Sequence, residues 1–178
     1  MTKPGRRMGQ ATGYLIGILF GLVFVEVNAR GLPGPWPLVV RIAGVVIAVA
    51  LFLAVRGGPG PADGGGFTPG RGYWLVVAAE ALALFGGLFV INGVLRHPQV
   101  AVAWIAVVVG VHFFALAAVF RLNRFHGLGA VLTVLGLAGF VLAALGASAA
   151  TVGVVSGVLS GLALFTTVGV SLSRGRSA

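Results

Sequence analysis

The sequence predicts an all-α membrane protein, a bundle of six transmembrane helices built from hairpins. Hydrophobic residues make up 58% of the 178 residues and charged residues only 8%, whereas a soluble domain of this size needs far more charge to cover its surface. The apolar residues fall into six runs, each near the ~20 helical residues that cross a hydrocarbon core of ~30 Å. We therefore expect a single integral membrane domain over residues 1–178.

The predicted spans follow one another closely along the chain. They cover residues 12–27, 37–55, 72–91, 100–120, 127–145 and 151–172. The only long connection, between Arg56 and Arg71, is rich in Gly and Pro and predicts a loop. The boundary in "GASAA" (146–150) is the weakest, because the apolar character barely drops there. A cleaved signal peptide ending at Ala29 is the rival interpretation of the first run, but Glu26 interrupts the region before the cut.

The basic residues indicate the orientation of the helices. They lie singly or in pairs between apolar runs, which is the pattern of membrane topology and argues against nucleic acid as a partner. Only three fall on one predicted side: Arg30, Arg41 and Arg96. Nine fall on the other: Lys3, Arg6, Arg7, Arg56, Arg71, Arg121, Arg124, Arg174 and Arg176. This asymmetry predicts a multi-pass protein of the inner (plasma) membrane, in contact with the lipid bilayer, with both termini cytoplasmic.

Two segments 65 residues apart indicate an internal repeat. "LFGLVFV" (19–25) and "LFGGLFV" (84–90) agree at five of seven positions, and the same offset pairs Pro33 with Pro98 and Arg56 with Arg121. Asn28 and Asn92 close the two outgoing helices at nearly matching places. We expect helices 1–2 and 3–4 to be a parallel repeat about an axis near the membrane normal.

Glycine spacing predicts close helix packing in the first and sixth helices. Stripes of small residues let backbones approach closely in lipid. The favoured interpretation is that helix one packs on helix six within the chain, and the alternative is the seam of a homodimer. The stripes consist of Gly13, Gly17 and Gly21 and of Gly153, Gly157 and Gly161.

Four ionisable residues lie inside the spans, where their cost makes each a functional candidate. Glu26 and Arg41 lie near one level of the first hairpin and predict a structural ion pair. Glu80 is about 12 Å from the inner end of helix three, and His112 is about 12 Å from the same face on helix four. They therefore predict a buried acid–imidazole contact that either fixes packing or handles protons as a coupled unit. Asn92, at the outer end of the same helix as Glu80, is a further ligand candidate.

Motifs for other chemistries are absent from the sequence. It contains no P-loop, no GxSxG elbow and no HExxH, and it has no cysteine. No carboxylate cluster accompanies His97 or His126, so we expect neither a metal nor a cofactor. The run "GVHFFALAAVFRL" (110–122) resembles a segment of small, functionally uncharacterised bacterial integral membrane proteins. That resemblance implies a bacterial membrane protein and no particular activity.

Three functions remain open from the sequence. The leading one is a small transporter or channel-like protein, proton-linked through Glu80 and His112, with an unknown small-molecule ligand. The second is a membrane enzyme acting on a lipid or isoprenoid, with Glu80 as general acid and His112 tuning it. In that case a set of aromatic residues would line its pocket: Phe85, Phe89, Trp104, Phe113 and Phe114. The third is an accessory subunit without a site.

Overall fold

The computed structural model describes residues 4–57, 70–120 and 124–176, and the regular structure within these ranges is entirely helical. The long predicted loop therefore lies mostly outside the described residues, as does the turn at 121–123. Five helices are α1 (Pro4–Asn28), α2 (Trp36–Gly57), α3 (Arg71–Phe89), α4 (Ala101–Phe120) and α5 (Arg124–Ala144). The sixth, α6, comprises three consecutive segments: Ala149–Val152, the π-helical Gly153–Val158, and Leu159–Arg176.

All six helices are long and apolar enough to cross a membrane. This confirms the all-α, six-helix prediction for the described residues, and the chain is a polytopic membrane protein. Most observed helix ends lie within three residues of the predicted ones. The largest difference is at α1, which begins at Pro4 rather than near residue 12. Its polar first turns are helical although they carry no apolar signal.

The helix α6 is the centre of the bundle, and α2 and α3 lie at its edges. Just over half of α6 is buried, compared with 11% of α2 and 6% of α3. One core cluster joins α1, α2 and α6 and includes Val25 and Phe165. A second joins α1, α4, α5 and α6 around Leu132. The helix α3 has no buried residue and packs mainly on α4.

The helices α1 and α6 pack closely through their glycines. A Cβ atom on Gly161 would lie 2.6 Å from the Gly21 carbonyl oxygen, and one on Gly17 would lie 3.0 Å from Val168. Farther along the contact, Gly157 and Gly153 lie against Asn28, whereas Gly13 has nothing within 4 Å among the described residues. The stripes are thus used within the chain, and Gly13 is the member left without a neighbour.

The connection between α5 and α6 is sharply defined. The N–H of Gly146 bonds the Ala143 carbonyl at 3.0 Å, and the N–H of Ala147 bonds the Leu142 carbonyl at 2.9 Å. With Gly146 at φ +81°, these bonds form a Schellman cap, which glycine favours because it has no Cβ atom. The Ser148 hydroxyl oxygen then accepts the N–H of Thr151 and caps α6. The boundary that hydropathy marks weakly is fixed by hydrogen bonds.

At the connection between α3 and α4, α3 does not stop at residue 91 as predicted. It continues as a π-helical turn, Val90–Val94. The chain then turns through Arg96, whose φ of +55° is left-handed, before a short 3₁₀ turn (Pro98–Val100) leads into α4. Apart from Asn92 and Gly93, the residues up to Leu95 are apolar, so hydropathy alone does not reveal the change from α to π geometry.

The repeat of helices 1–2 and 3–4 stays a prediction. Under that repeat α1 corresponds to α3, yet α1 lies in both core clusters while α3 lies in neither. In the second hairpin it is α4 that packs on the remaining helices. One local feature is shared: the side-chain amides of Asn28 and Asn92 each donate to the carbonyl four residues earlier, at 2.8 Å and 2.9 Å.

Candidate functional site

The candidate site lies where α3 crosses α4. The two helices run antiparallel in a constant register, with Gly72 beside Val119 at one end and Gly87 against the Trp104 ring at the other. Near the latter end, the Trp104 indole N–H donates to the Ala83 carbonyl at 3.1 Å. Glu80 and His112 fall between these contacts, at the middle of the hairpin.

The predicted contact between the two ionisable residues is present. The His112 Nδ1 atom lies 3.0 Å from a Glu80 carboxylate oxygen. The oxygen lies off the direction of the ring N–H, so that Nδ1 makes no aligned hydrogen bond with any described residue. The arrangement is therefore a close acid–imidazole contact without an aligned hydrogen bond.

The pair is half-buried rather than buried in the bundle centre. The side chain of His112 is 13% exposed and that of Glu80 is 23% exposed. The reason is the packing of α3, which covers the pair from one side but is itself open on its remaining faces. His112 also meets the Phe113 ring edge-on, with centroids 6.0 Å apart. The site thus lies beneath a peripheral helix.

Asn92 is not brought to this pair. It follows Glu80 by twelve residues, which corresponds to about 18 Å along the helix axis. It is exposed, and its side-chain amide is engaged by the Leu88 carbonyl. The structure therefore places it in the π-helical turn that follows α3, away from the acid and the imidazole.

The second ionisable pair, Glu26 and Arg41, joins α1 to α2. The Arg41 Nε donates to a Glu26 carboxylate oxygen at 2.7 Å. The side chain of Glu26 is 23% exposed and that of Arg41 is 42% exposed. The other Glu26 oxygen is buried against Gly44 and has no hydrogen-bond partner among the described residues. This pair connects the peripheral α2 to the core helix α1.

Sequence reasoning missed a set of polar side chains in the core. Ser156 and Ser160 of α6 are fully buried. The Ser156 hydroxyl donates to the Leu135 carbonyl at 2.9 Å and lies directly against Gly139 of α5. Ser156 and Ser160 are four residues apart, which places them one turn apart on the same helix face. This spacing, in an otherwise apolar helix, is the signal that could have found them.

The aromatic residues considered for a lipid pocket do not converge. Phe85 and Phe89 are 68% and 71% exposed on α3. Phe113 meets Phe125 of α5, while Phe114 meets His126. Trp104 packs on Gly87. The five side chains thus point to different neighbours and do not line one cavity around Glu80.

Metal-ligating residues do not cluster within the ranges 4–57, 70–120 and 124–176, where no group of three or more His, Asp or Glu is found. The chemical capacity of the site therefore rests on one carboxylate and one imidazole, which can exchange protons. In comparisons with known protein families, curated proteins and solved structures, no match to this chain was found.

Proposed function

We propose that the protein is a small proton-linked transporter or channel-like protein of a bacterial inner membrane. The observation that carries the proposal is the 3.0 Å contact between Glu80 and His112 in the middle of two membrane helices. Ionisable residues within transmembrane segments are rare and characteristic of proton relays. In this interpretation the two side chains handle one proton as a unit.

The chemistry of the pair suits this role. With one proton shared between them, the carboxyl and the imidazole have no net charge, either as two neutral groups or as two opposite charges. A second proton gives the pair one positive charge. A single isolated charge at this depth costs about 2.5–3.5 kcal/mol on insertion scales, so loading and releasing the second proton changes the free energy of the site. Because the two groups interact, the binding of a proton to one group affects the binding of a proton to the other.

The packing of α3 provides a way to expose the pair. The helix rests mainly on α4 and buries no residue. On its α4-facing side, Gly87 lies against the Trp104 ring, and the Ala83 carbonyl accepts the Trp104 indole N–H. A movement of α3 would break its contacts with α4, including the Trp104–Ala83 hydrogen bond, but would leave both core clusters intact. In this interpretation it changes which side of the membrane reaches Glu80.

The enzyme alternative has less support. An enzyme acting on a lipid needs a lateral pocket that ends at Glu80, and the aromatic residues that would line it point to separate neighbours. An accessory subunit without a site would need no protonatable pair, and the following experiment distinguishes it from a transporter.

The test is proton flux in phospholipid vesicles containing the full chain and a pH-sensitive dye. A pH gradient is imposed, and valinomycin with K⁺ clamps the voltage. We expect the wild-type protein to dissipate the gradient faster than empty vesicles. Glu80→Gln and His112→Asn each reduce the protein-dependent flux at least tenfold, because either change removes one of the two proton carriers. The measured quantity is the initial rate per folded protein.

His126→Asn is the matched control, because it removes an imidazole at the end of α5 outside the pair. It should keep the wild-type rate. Flux that is absent in the wild type, or unchanged in Glu80→Gln and His112→Asn, contradicts the proposal. If both variants mainly lower the thermal stability in detergent while the rate follows the amount of folded protein, the pair fixes packing only.

A further inference from the structure

A groove near the C-terminal end of α6 is independent of the site between α3 and α4. It is an open depression of about 210 Å³ on the face of this one helix, and it is lined by Thr166, Thr167, Val170, Ser171 and Arg174. Thr166, Val170 and Arg174 are exposed. The adjacent face of the helix, with Val168, packs into the core with α1 and α2. The groove therefore opens away from the core, toward the surroundings of the bundle.

The groove is graded in polarity along the helix axis. Arg174 lies at its rim, two residues beyond Leu172 of the last apolar stretch. Ser171, nearly one turn deeper, presents a hydroxyl. The deepest residues, Thr166 and Thr167, donate their hydroxyls at 2.8 Å to the carbonyls of Leu162 and Ala163 on their own helix. Their hydrogen-bond donors are thus used internally, which leaves methyl groups and Val170 as apolar lining.

The dimensions match the upper part of a phospholipid. Eight residues separate Thr166 from Arg174, which corresponds to about 12 Å along the axis. A phosphate held by Arg174 and Ser171 would lie at the membrane interface. The start of an acyl chain would then run past Val170 toward the threonines. A free phosphate would use only the rim of such a groove.

Charge at this end of the bundle favours an anionic ligand. Leu51 of α2 lies beside Gly169 of α6, and five residues farther along each helix come Arg56 and Arg174, at one level. The described acidic residues, Glu26 and Glu80, pair elsewhere, with Arg41 and His112. Each basic residue near the cytoplasmic membrane surface attracts anionic lipid headgroups.

We propose that this groove binds an anionic phospholipid, with its phosphate on Arg174 and Ser171 and an acyl chain along Val170. In the predicted orientation the groove lies in the inner leaflet of the membrane, which would supply this lipid. The site needs no movement of α3 and is independent of proton flux.

The experiment measures lipid binding to the full chain in neutral detergent by native mass spectrometry. Dioleoyl phosphatidylglycerol is compared with dioleoyl phosphatidylcholine, which has the same acyl chains and no net charge. We expect tighter binding of phosphatidylglycerol, by about fivefold for the contribution of one basic residue near the headgroup. Arg174→Gln should lower the affinity for phosphatidylglycerol to that for phosphatidylcholine.

Arg56→Gln is the matched control, since it removes an arginine at the same level whose guanidinium stacks on the Phe52 ring, 4.8 Å from its centroid. It should leave the preference for phosphatidylglycerol nearly unchanged. Ser171→Leu keeps Arg174 but fills the groove, and it should also abolish the preference. If Arg174→Gln cannot be purified as a folded protein, Ser171→Leu still tests whether the groove binds the lipid.

Three results would overturn the assignment. Equal binding of the two lipids would show that the groove has no preference for a lipid with a net negative charge. An equal loss in Arg174→Gln and Arg56→Gln would show a general effect of net charge. Displacement of phosphatidylglycerol by inorganic phosphate, at an ionic strength matched with chloride, would show a site for free phosphate rather than for a lipid.

Discussion

At the scale of single residues, both ionisable pairs follow from depth counting. A helix rises 1.5 Å per residue, so two residues at matching distances from the turn of a hairpin lie at one level. This rule brings Glu26 to Arg41 and Glu80 to His112, and the respective N–O distances are 2.7 Å and 3.0 Å. Depth does not predict exposure, because exposure depends on which other helices cover the pair.

The pair of Glu26 and Arg41 leads to a prediction about stability. Glu26→Gln should lower the free energy of unfolding by about 1–2 kcal/mol, because Arg41 is left without a counter-charge at the edge of the membrane. The value is below that of a fully buried pair, since Arg41 is 42% exposed and solvent screening weakens such pairs. The measurement is equilibrium unfolding in detergent.

The double-mutant cycle with Arg41→Gln isolates the interaction. The two changes together should cost less than their sum by about 1 kcal/mol, as expected for residues in direct contact. Arg30→Gln, in the exposed outer connection, is the control and should add independently to Glu26→Gln. Additive effects of Glu26→Gln and Arg41→Gln would mean that the pair does not contribute to stability.

At the scale of helices, ends and contacts depend on different signals. The end of α5 is marked in the sequence by Gly146 and the start of α6 by Ser148, through a Schellman cap and a hydroxyl N-cap. These are local features of the chain. The contact between α1 and α6 is not local, since it joins Gly21 to Gly161, and regular glycine spacing indicates only that some helix approaches closely.

The glycine contact predicts unequal effects of alanine. Gly161→Ala should destabilise the protein by about 2–3 kcal/mol, because its Cβ would lie 2.6 Å from the Gly21 carbonyl oxygen and 2.7 Å from Val25. Gly13→Ala is the matched control, with nothing within 4 Å, and it should be neutral or stabilising by up to ~1 kcal/mol. Thermal unfolding in detergent measures both.

The same two variants test the alternative use of the stripes. Were the glycines the seam of a homodimer, Gly161→Ala would convert a dimer into a folded monomer in size-exclusion chromatography with light scattering. If the glycines pack within one chain, Gly161→Ala should leave the oligomeric state unchanged and lower the melting temperature. Equal melting temperatures for Gly161→Ala and Gly13→Ala would contradict the close contact.

At the scale of the whole molecule, orientation in the membrane is the first prediction to test. The charge asymmetry of nine to three predicts cytoplasmic termini. The chain has no native cysteine, so single cysteines can be introduced at Gly70 and Gln99, which are exposed at opposite ends of α3 and α4. An impermeant maleimide added to bacterial spheroplasts should label Gln99→Cys.

The Gly70→Cys variant should react only after lysis, because it lies on the predicted cytoplasmic side. Labelling of Gly70→Cys in intact spheroplasts, with Gln99→Cys protected, would reverse the predicted orientation.

The sequence by itself determined the membrane class, the six helices and the pairing of residues within each hairpin. These properties depend on local hydropathy, on helical rise and on short connections. It also indicated, through glycine spacing, that α1 and α6 have close-packing faces. The contact of Glu80 with His112 could be predicted from the sequence, because a short connection makes neighbouring membrane helices antiparallel and depth along each helix can then be counted.

Only the tertiary structure decided which helices lie at the centre. In a membrane, the face of a helix that meets lipid is as apolar as the face that meets another helix, so hydropathy does not distinguish the central α6 from the peripheral α3. For this reason the sequence predicted a buried pair at Glu80 and His112, whereas the pair lies half-buried under a helix that rests mainly on one neighbour. The two core clusters likewise depend on contacts between helices that are distant in the sequence, such as α1 and α6.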